Sequence, residues 1–235
     1  MAAIETLLFD FGGTLDADGV AWKERFHALY LAEGLDMTAE AFAPLFYAAD
    51  DPLVGALPQT AGLAETIHAL VVGLEAELRR CEGAAKARAD RGRRVASRFL
   101  ADMSVIFARN RPVLETLAER FRLGVVSNFY GNLEAACASA GLAPLFSVMT
   151  DSCRVGVEKP DPAIFRAALD ELRAAPETTL FIGDSLSRDC EGAWRAGMGF
   201  IWIAPADVQS AARTSEARSA LAAVTRLPDL LKVLK

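Results

Sequence analysis

The sequence predicts an α/β fold: a Rossmann-like, doubly wound parallel sheet core with an inserted all-helical cap domain. Three observations predict it. Short, apolar, β-rich runs alternate with amphipathic helical stretches, the pattern of a parallel sheet covered by helices. Three of these runs end in polar clusters, where open α/β sheets bind their ligands. Between Asp16 and about Val105 the alternation stops and only helical periodicity continues. The expected division is therefore a core of residues 1–16 and 105–235 around a cap of residues 17–104.

The strand candidates are "TLLFDF", "RLGVVSN", "LFSVMT", "TTLFIGD" and "GFIWIA". Each is compact and apolar, as strands buried on both faces must be. Polar ends follow three of them: Asp10, Ser127-Asn128 and Gly183-Asp184. In the insert, "WKERFHALYLAEG" sets Trp22, Phe26, Leu29 and Tyr30 on one helical face and stops at Gly34. "GLAETIHALVVGLEAELRR" repeats Leu63, Ile67, Leu70, Val71, Leu74 and Leu78 at helical spacing, and "RRVASRFLADMSVIF" continues the style. "NRPVLETLAERF" then reads as a new core helix, with Asn110 as its cap and Pro112 in its first turn.

Composition bounds the function. The chain has 235 residues, 52% of them hydrophobic and 24% charged, enough for a sizeable core. A net charge of -6 argues against non-specific nucleic-acid binding, which needs a basic surface. The four cysteines, Cys81, Cys137, Cys153 and Cys190, form no CxxC pair and suggest neither a zinc site nor a disulfide framework. The N-terminus lacks the features of a signal peptide, and no apolar run approaches the ~20 residues needed to cross a membrane. A cytoplasmic protein without membrane or nucleic-acid partners is expected.

Four clusters carry chemistry. In "DFGGT", Asp10 stands at a strand end beside glycines that let the backbone approach an anion. It is placed as a nucleophile toward a phosphoryl group, or simply caps a turn. "VVSN" offers the Ser127 hydroxyl and backbone N–H groups near a helix start, or a helix cap. "GVEKPDP" offers Lys159, a compact cation suited to phosphate and to crowded carboxylates, or a solvated loop lysine. "IGDSLSRDCEGA" offers Asp184 and Asp189, oxygen ligands suited to magnesium, or ordinary helix-start aspartates. Each plain alternative stands alone; all four together fit poorly with the clusters' shared order and strand-end placement.

In that order the clusters resemble the four motifs of the haloacid dehalogenase superfamily, which is mostly phosphatases. "DFGGT" is similar to the family's DxDGT, "VVSN" to its Ser/Thr-ended strand, "EKPDP" to its lysine motif, and "GDSLSRDCEGA" to GDSxxxDxxGA. The resemblance implies a Mg2+-dependent hydrolase of small phosphorylated metabolites, acting through an aspartyl-phosphate. It implies Asp10 as nucleophile, with Asp10, the Gly12 carbonyl and Asp184 as metal ligands. Ser127 and Lys159 would hold the transferred group, alongside Gly13, Thr14 and Asn128, and Asp189 would support metal and lysine from behind.

One position departs from the family. Gly12 stands where its phosphatases carry an aspartate that protonates the leaving group and then activates water. Haloacid dehalogenases also lack that aspartate, but they lack the metal aspartate too, which is intact here as Asp184. Phosphonoacetaldehyde hydrolases replace it by a small residue and use a cap lysine, for which Lys23 and Lys86 are the candidates. Lys23, beside Trp22, Glu24 and Arg25, reads as solvated. A non-catalytic phospho-ligand-binding protein is the alternative outside enzymes. Asp16, Asp18, a cap residue or the substrate itself remain to supply the proton, although Asp16 leads away toward the cap linker. The arginines at 79, 80, 88, 91, 93 and 94 read as a solvated surface, Trp22 and Phe26 as cap core, and His27 and His68 as exposed or half-buried.

Overall fold

The computed structural model describes residues 3–82, 90–212, 217 and 219–234. Six parallel strands form one sheet in the order β3-β2-β1-β4-β5-β6. They are β1 (Thr6–Phe9), β2 (Arg122–Ser127), β3 (Val148–Asp151), β4 (Thr179–Gly183), β5 (Gly199–Ile203) and β6 (Ala222–Val224). β1 lies at the centre, with Phe9 opposite Val125 of β2 and Ile182 of β4. The strand order reverses between β1 and β4, so the loops leaving their carboxyl ends diverge and open a crevice.

Side chains alternate across the sheet, as the two-residue strand period requires. Leu7, Phe9 and Val125 enter one apolar cluster, while Leu8, Val126 and Phe181 enter another on the opposite face. The five expected strands are present. β6 extends the sheet beyond them; its Ala222-Ala223-Val224 is too short and too poor in branched residues to stand out as a β run.

Among the described residues, four α-helices follow β1 in this region: α1 (Trp22–Ala32), α2 (Ala39–Asp50), α3 (Leu63–Glu82) and α4 (Arg91–Ala118). α1 ends just before Gly34, whose φ of 83° closes the turn. α4 corrects the sequence reading. It is one helix of 28 residues that passes through Asn110 and Pro112 and crosses the expected 104/105 division. Its apolar stripe explains why. Val95, Phe99, Met103, Phe107, Asn110, Leu114 and Leu117 recur every three or four residues and are all buried. Asn110 continues that stripe as a buried residue, donating its Nδ2 to the Leu15 carbonyl at 3.0 Å, and caps nothing. Pro112 removes one backbone donor without ending the helix.

The core helices are short: α5 (Leu133–Ser139), α6 (Ser152–Val155), α7 (Pro162–Leu172), α8 (Glu191–Arg195) and α9 (Ala206–Ala211). Asp161 caps α7 by accepting from the Ala163 N–H at 2.9 Å. Phe26 stacks on Phe99 inside the cap, as expected. Arg91 does not follow the solvated reading of the arginines. It is 1% exposed, paired with Glu75 at 3.0 Å and set over the Tyr30 ring. Arg80, Arg93 and Arg94 do pair on the exposed surface. Lys86 and Arg88 lie outside the described residues. His68 is exposed, while His27 is half-buried against Phe42. No helix among the described residues is long and apolar enough to cross a membrane.

Candidate active site

The site begins where β1 ends. The Asp10 N–H donates to the Ile182 carbonyl at 2.9 Å, which extends the ladder to β4 and pins the Asp10 backbone. A tight turn over Phe11–Leu15 follows. Gly13 takes φ 89°, and a Cβ there would come within 2.5 Å of the Asp184 carboxylate. Glycine is thus required twice, by the backbone and by the close approach of a second carboxylate. The Gly13 N–H donates to Asp16 Oδ1 at 2.7 Å, so it serves the turn rather than the crevice.

Asp16 is fully buried and acts as a brace. Its Oδ2 accepts from Trp22 Nε1 and from Arg25, both at 2.7 Å. Burial pushes its carboxyl up, against the opposing pull of Arg25, the Gly13 N–H and Trp22. Asp18 pairs with Arg109 through two contacts of 2.6 and 2.8 Å. Neither carboxylate is left to reach Asp10.

Asp10 is buried and held from one side. Its Oδ1 accepts from the Ser127 hydroxyl at 2.8 Å and faces Lys159 Nζ at 2.7 Å. Its Oδ2 receives no hydrogen bond from the described residues. Lys159 Nζ also bonds Asp189 Oδ1 at 2.7 Å, and Asp189 Oδ2 accepts from the Ser185 N–H at 3.0 Å. Burial alone would drive the proton off Lys159, but Asp10 and Asp189 outweigh it and keep the ammonium above its ordinary pKa. Asn128 fixes the lysine's backbone: it accepts from the Lys159 N–H at 2.8 Å and donates to the Lys159 carbonyl at 3.2 Å. Its side chain is thereby spent on positioning.

Asp184 follows β4 at the far wall of the crevice. It is half-buried and accepts weakly from Thr14 Oγ1 at 3.4 Å. Oxygens of Asp10, Asp184 and Asp189 all lie within 4.8 Å of one another. Burial pushes the Asp184 carboxyl well above its ordinary range, and the charges of Asp189 and Asp10 push it further. Lys159 offsets two of these three carboxylates by direct contact, and among the described residues Asp184 has no ion pair. The donor set fits a hard divalent cation such as magnesium.

A cavity of about 120 Å³ opens over Asp10. Asp10, Gly12, Ser127, Asn128 and Lys159 form its floor, and the cap contributes Trp22 and Lys23 from α1 with Phe46, Tyr47 and Asp50 from α2. Phe129, Tyr130 and Arg188 complete the wall. Gly12 has an ordinary backbone (φ -76°, ψ 122°), so no turn demands a glycine there. A Cβ there would rest in ordinary contact with the Trp22 indole, at 3.4–3.7 Å.

Lys23 departs from the solvated reading. It lines the cavity, 3.4 Å from both Tyr47 Oη and Glu24. Burial lowers its pKa, yet Glu24 and Tyr47 more than compensate, so the amine stays charged and is unsuited to Schiff-base attack. The sequence reading did not single out Phe46, Tyr47, Asp50, Phe129, Tyr130 or Arg188. Arg188 had a signal, since it sits inside "GDSLSRDCEGA"; Asp50 had none.

The model of the haloacid dehalogenase-like hydrolases matches residues 4–197. The chain is 44% identical over 64 residues to the phosphoserine phosphatase of Thermus thermophilus, covering 27% of this chain and 26% of that protein. It is 37% identical over 89 residues to the glyceraldehyde 3-phosphate phosphatase of Methanopyrus kandleri, covering 37% of this chain and 38% of that one. The chain thus spans between a quarter and two fifths of the length of these relatives. A magnesium-bound HAD-hydrolase from Bacillus subtilis shares the fold at a TM-score of 0.60 and 19% identity, over 100% of both chains.

Proposed function

The chain belongs to the haloacid dehalogenase-like hydrolase family, and from that premise we propose that it is a magnesium-dependent hydrolase of small phosphorylated compounds, working through an aspartyl-phosphate on Asp10. One observation carries this reading. Asp10 offers a bare Oδ2 to the cavity while Ser127 and Lys159 hold its other oxygen at 2.8 and 2.7 Å. A carboxylate fixed in this way is oriented for in-line attack. The phosphatases among its relatives favour a phosphate ester as substrate.

In this reading Asp10 Oδ2 attacks phosphorus, and water later cleaves the acyl-phosphate. Lys159 and the Ser127 hydroxyl meet the phosphoryl oxygens, and Asp189 keeps the lysine aimed. Asp10, the Gly12 carbonyl and Asp184 would hold magnesium, which when bound neutralises charge on the phosphoryl group. Residues 17–104 act as a cap that closes the cavity. Retention of Asp10, Lys159 and Asp184 together favours an enzyme over a phospho-ligand-binding scaffold.

The test is a screen of phosphorylated metabolites, with magnesium and after exhaustive chelation, on wild type and Asp10→Asn. Turnover that needs both magnesium and Asp10 is expected, and the amide, being nearly isosteric, should leave the fold intact. Asp10→Asn activity within tenfold of wild type would rule out Asp10 as nucleophile. Undiminished turnover without metal would point to dehalogenase-like chemistry, and binding without turnover to a scaffold.

A further inference from the structure

Resting on that reading of the site, we propose that Asp50, at the end of cap helix α2, is the general acid and base that Gly12 does not supply. Its placement carries the inference. Asp50 lines the same cavity as Asp10, Gly12 and Lys159. The nearer candidates are spent, Asp16 on the Gly13–Trp22–Arg25 brace and Asp18 on Arg109. Position 12 carries no side chain and the Trp22 indole lies beside it, so a proton donor has to come from another wall of the cavity. Asp50 is also oriented: its Oδ1 accepts from the Tyr130 hydroxyl at 2.5 Å, and its Oδ2 receives no hydrogen bond from the described residues.

The surroundings suit proton transfer near neutrality. Burial pushes the Asp50 carboxyl up to about 6. The Tyr130 hydroxyl opposes that rise, Asp51 adds to it, and Arg188 across the cavity mouth opposes it. Lys23 and Tyr47 complete the polar groups on this wall. A general acid works best when its pKa lies near the working pH.

The steps balance without an added reactant. Asp10 Oδ2 forms a bond to phosphorus as the bond from phosphorus to the leaving oxygen breaks. The electron pair stays on that oxygen, which takes the proton of the Asp50 carboxyl. Asp50, now a carboxylate, accepts a proton from water as the water oxygen attacks the aspartyl-phosphate. Phosphate leaves, Asp10 is restored as a carboxylate, and Asp50 is protonated again. Tyr130 is a positioning residue that aims the carboxyl.

The experiment is a series of phosphate monoesters spanning leaving-group pKa, from p-nitrophenyl phosphate to glycerol phosphate. It is run with magnesium on wild type, Asp50→Asn, Tyr130→Phe and Asp10→Asn. A nitrophenolate leaves without help, whereas an alkoxide needs the proton. Wild type should therefore show a shallow dependence on leaving group. Asp50→Asn should still form the aspartyl-phosphate from p-nitrophenyl phosphate in a burst of nitrophenolate, which reports an intact site, but turn over slowly afterwards because the base is gone, and lose about 10²–10⁴-fold in kcat/KM on glycerol phosphate. On the alkyl ester, wild-type kcat/KM should fall as pH rises through about 6, because the acid form is then lost. That limb should vanish in Asp50→Asn and move to higher pH in Tyr130→Phe, which loses the bond that holds the Asp50 pKa down. Wild type and Asp50→Asn falling on one leaving-group line would overturn the role of Asp50 alone. Should Asp50→Asn not fold, an unmoved limb in Tyr130→Phe overturns it equally. No turnover of any ester that depends on Asp10 would overturn the phosphatase reading and this inference with it.

Discussion

Gly12 is where residue chemistry and residue packing meet. Its φ of -76° suits any amino acid, and a Cβ would sit in ordinary contact with Trp22 at 3.4 Å. A carboxylate beyond that Cβ has to share its surroundings with the indole, which is tied to Asp16 at 2.7 Å. Gly12→Ala is therefore expected to be neutral or to stabilise by up to ~1 kcal/mol, through a less flexible unfolded chain. Gly12→Asp should destabilise by ~1–3 kcal/mol through overpacking, and most of that cost should disappear in a Trp22→Ala background. Urea denaturation of the four proteins measures the coupling. Equal costs of Gly12→Asp with and without Trp22 would show that the indole does not exclude a side chain there.

At the scale of elements, α4 joins cap to core. The motifs at strand ends were legible because strand, turn and polar residue are adjacent in sequence: Asp10 follows "TLLF" directly, and Asp184 follows "TLFIG". The helix was not, because Asn110 and Pro112 carry a strong local start signal that the buried stripe of Phe107, Leu114 and Leu117 overrides. Asp50 was illegible for a different reason. Nothing in "AFAPLFYAADDP" tells which end of that helix meets the crevice; only tertiary packing against Tyr130 does so. The Asn110 side chain ties α4 to the loop after Asp10 through the Leu15 carbonyl. Asn110→Ala would leave that carbonyl buried and unpaired and is expected to cost ~1–3 kcal/mol. An unchanged urea midpoint would show that the tie is not needed.

For the molecule as a whole, cap and core form one apolar body on one side of the sheet. Phe11, next to Asp10, contacts Phe107 of α4 and Phe129 after β2, while Trp22 of α1 contacts Phe99, Phe129 and Tyr130. These rings pack α1 and α4 against the loop that carries Asp10. The central claim is that this site transfers a phosphoryl group to Asp10. It is tested most directly by rapid mixing of the magnesium-loaded protein with p-nitrophenyl phosphate, an acid quench within the first turnover, and peptide mass analysis. The account predicts a phosphorylated peptide containing Asp10, absent in Asp10→Asn and absent after chelation. Steady turnover with no phosphopeptide, or a phosphoryl group on any other residue, would contradict it.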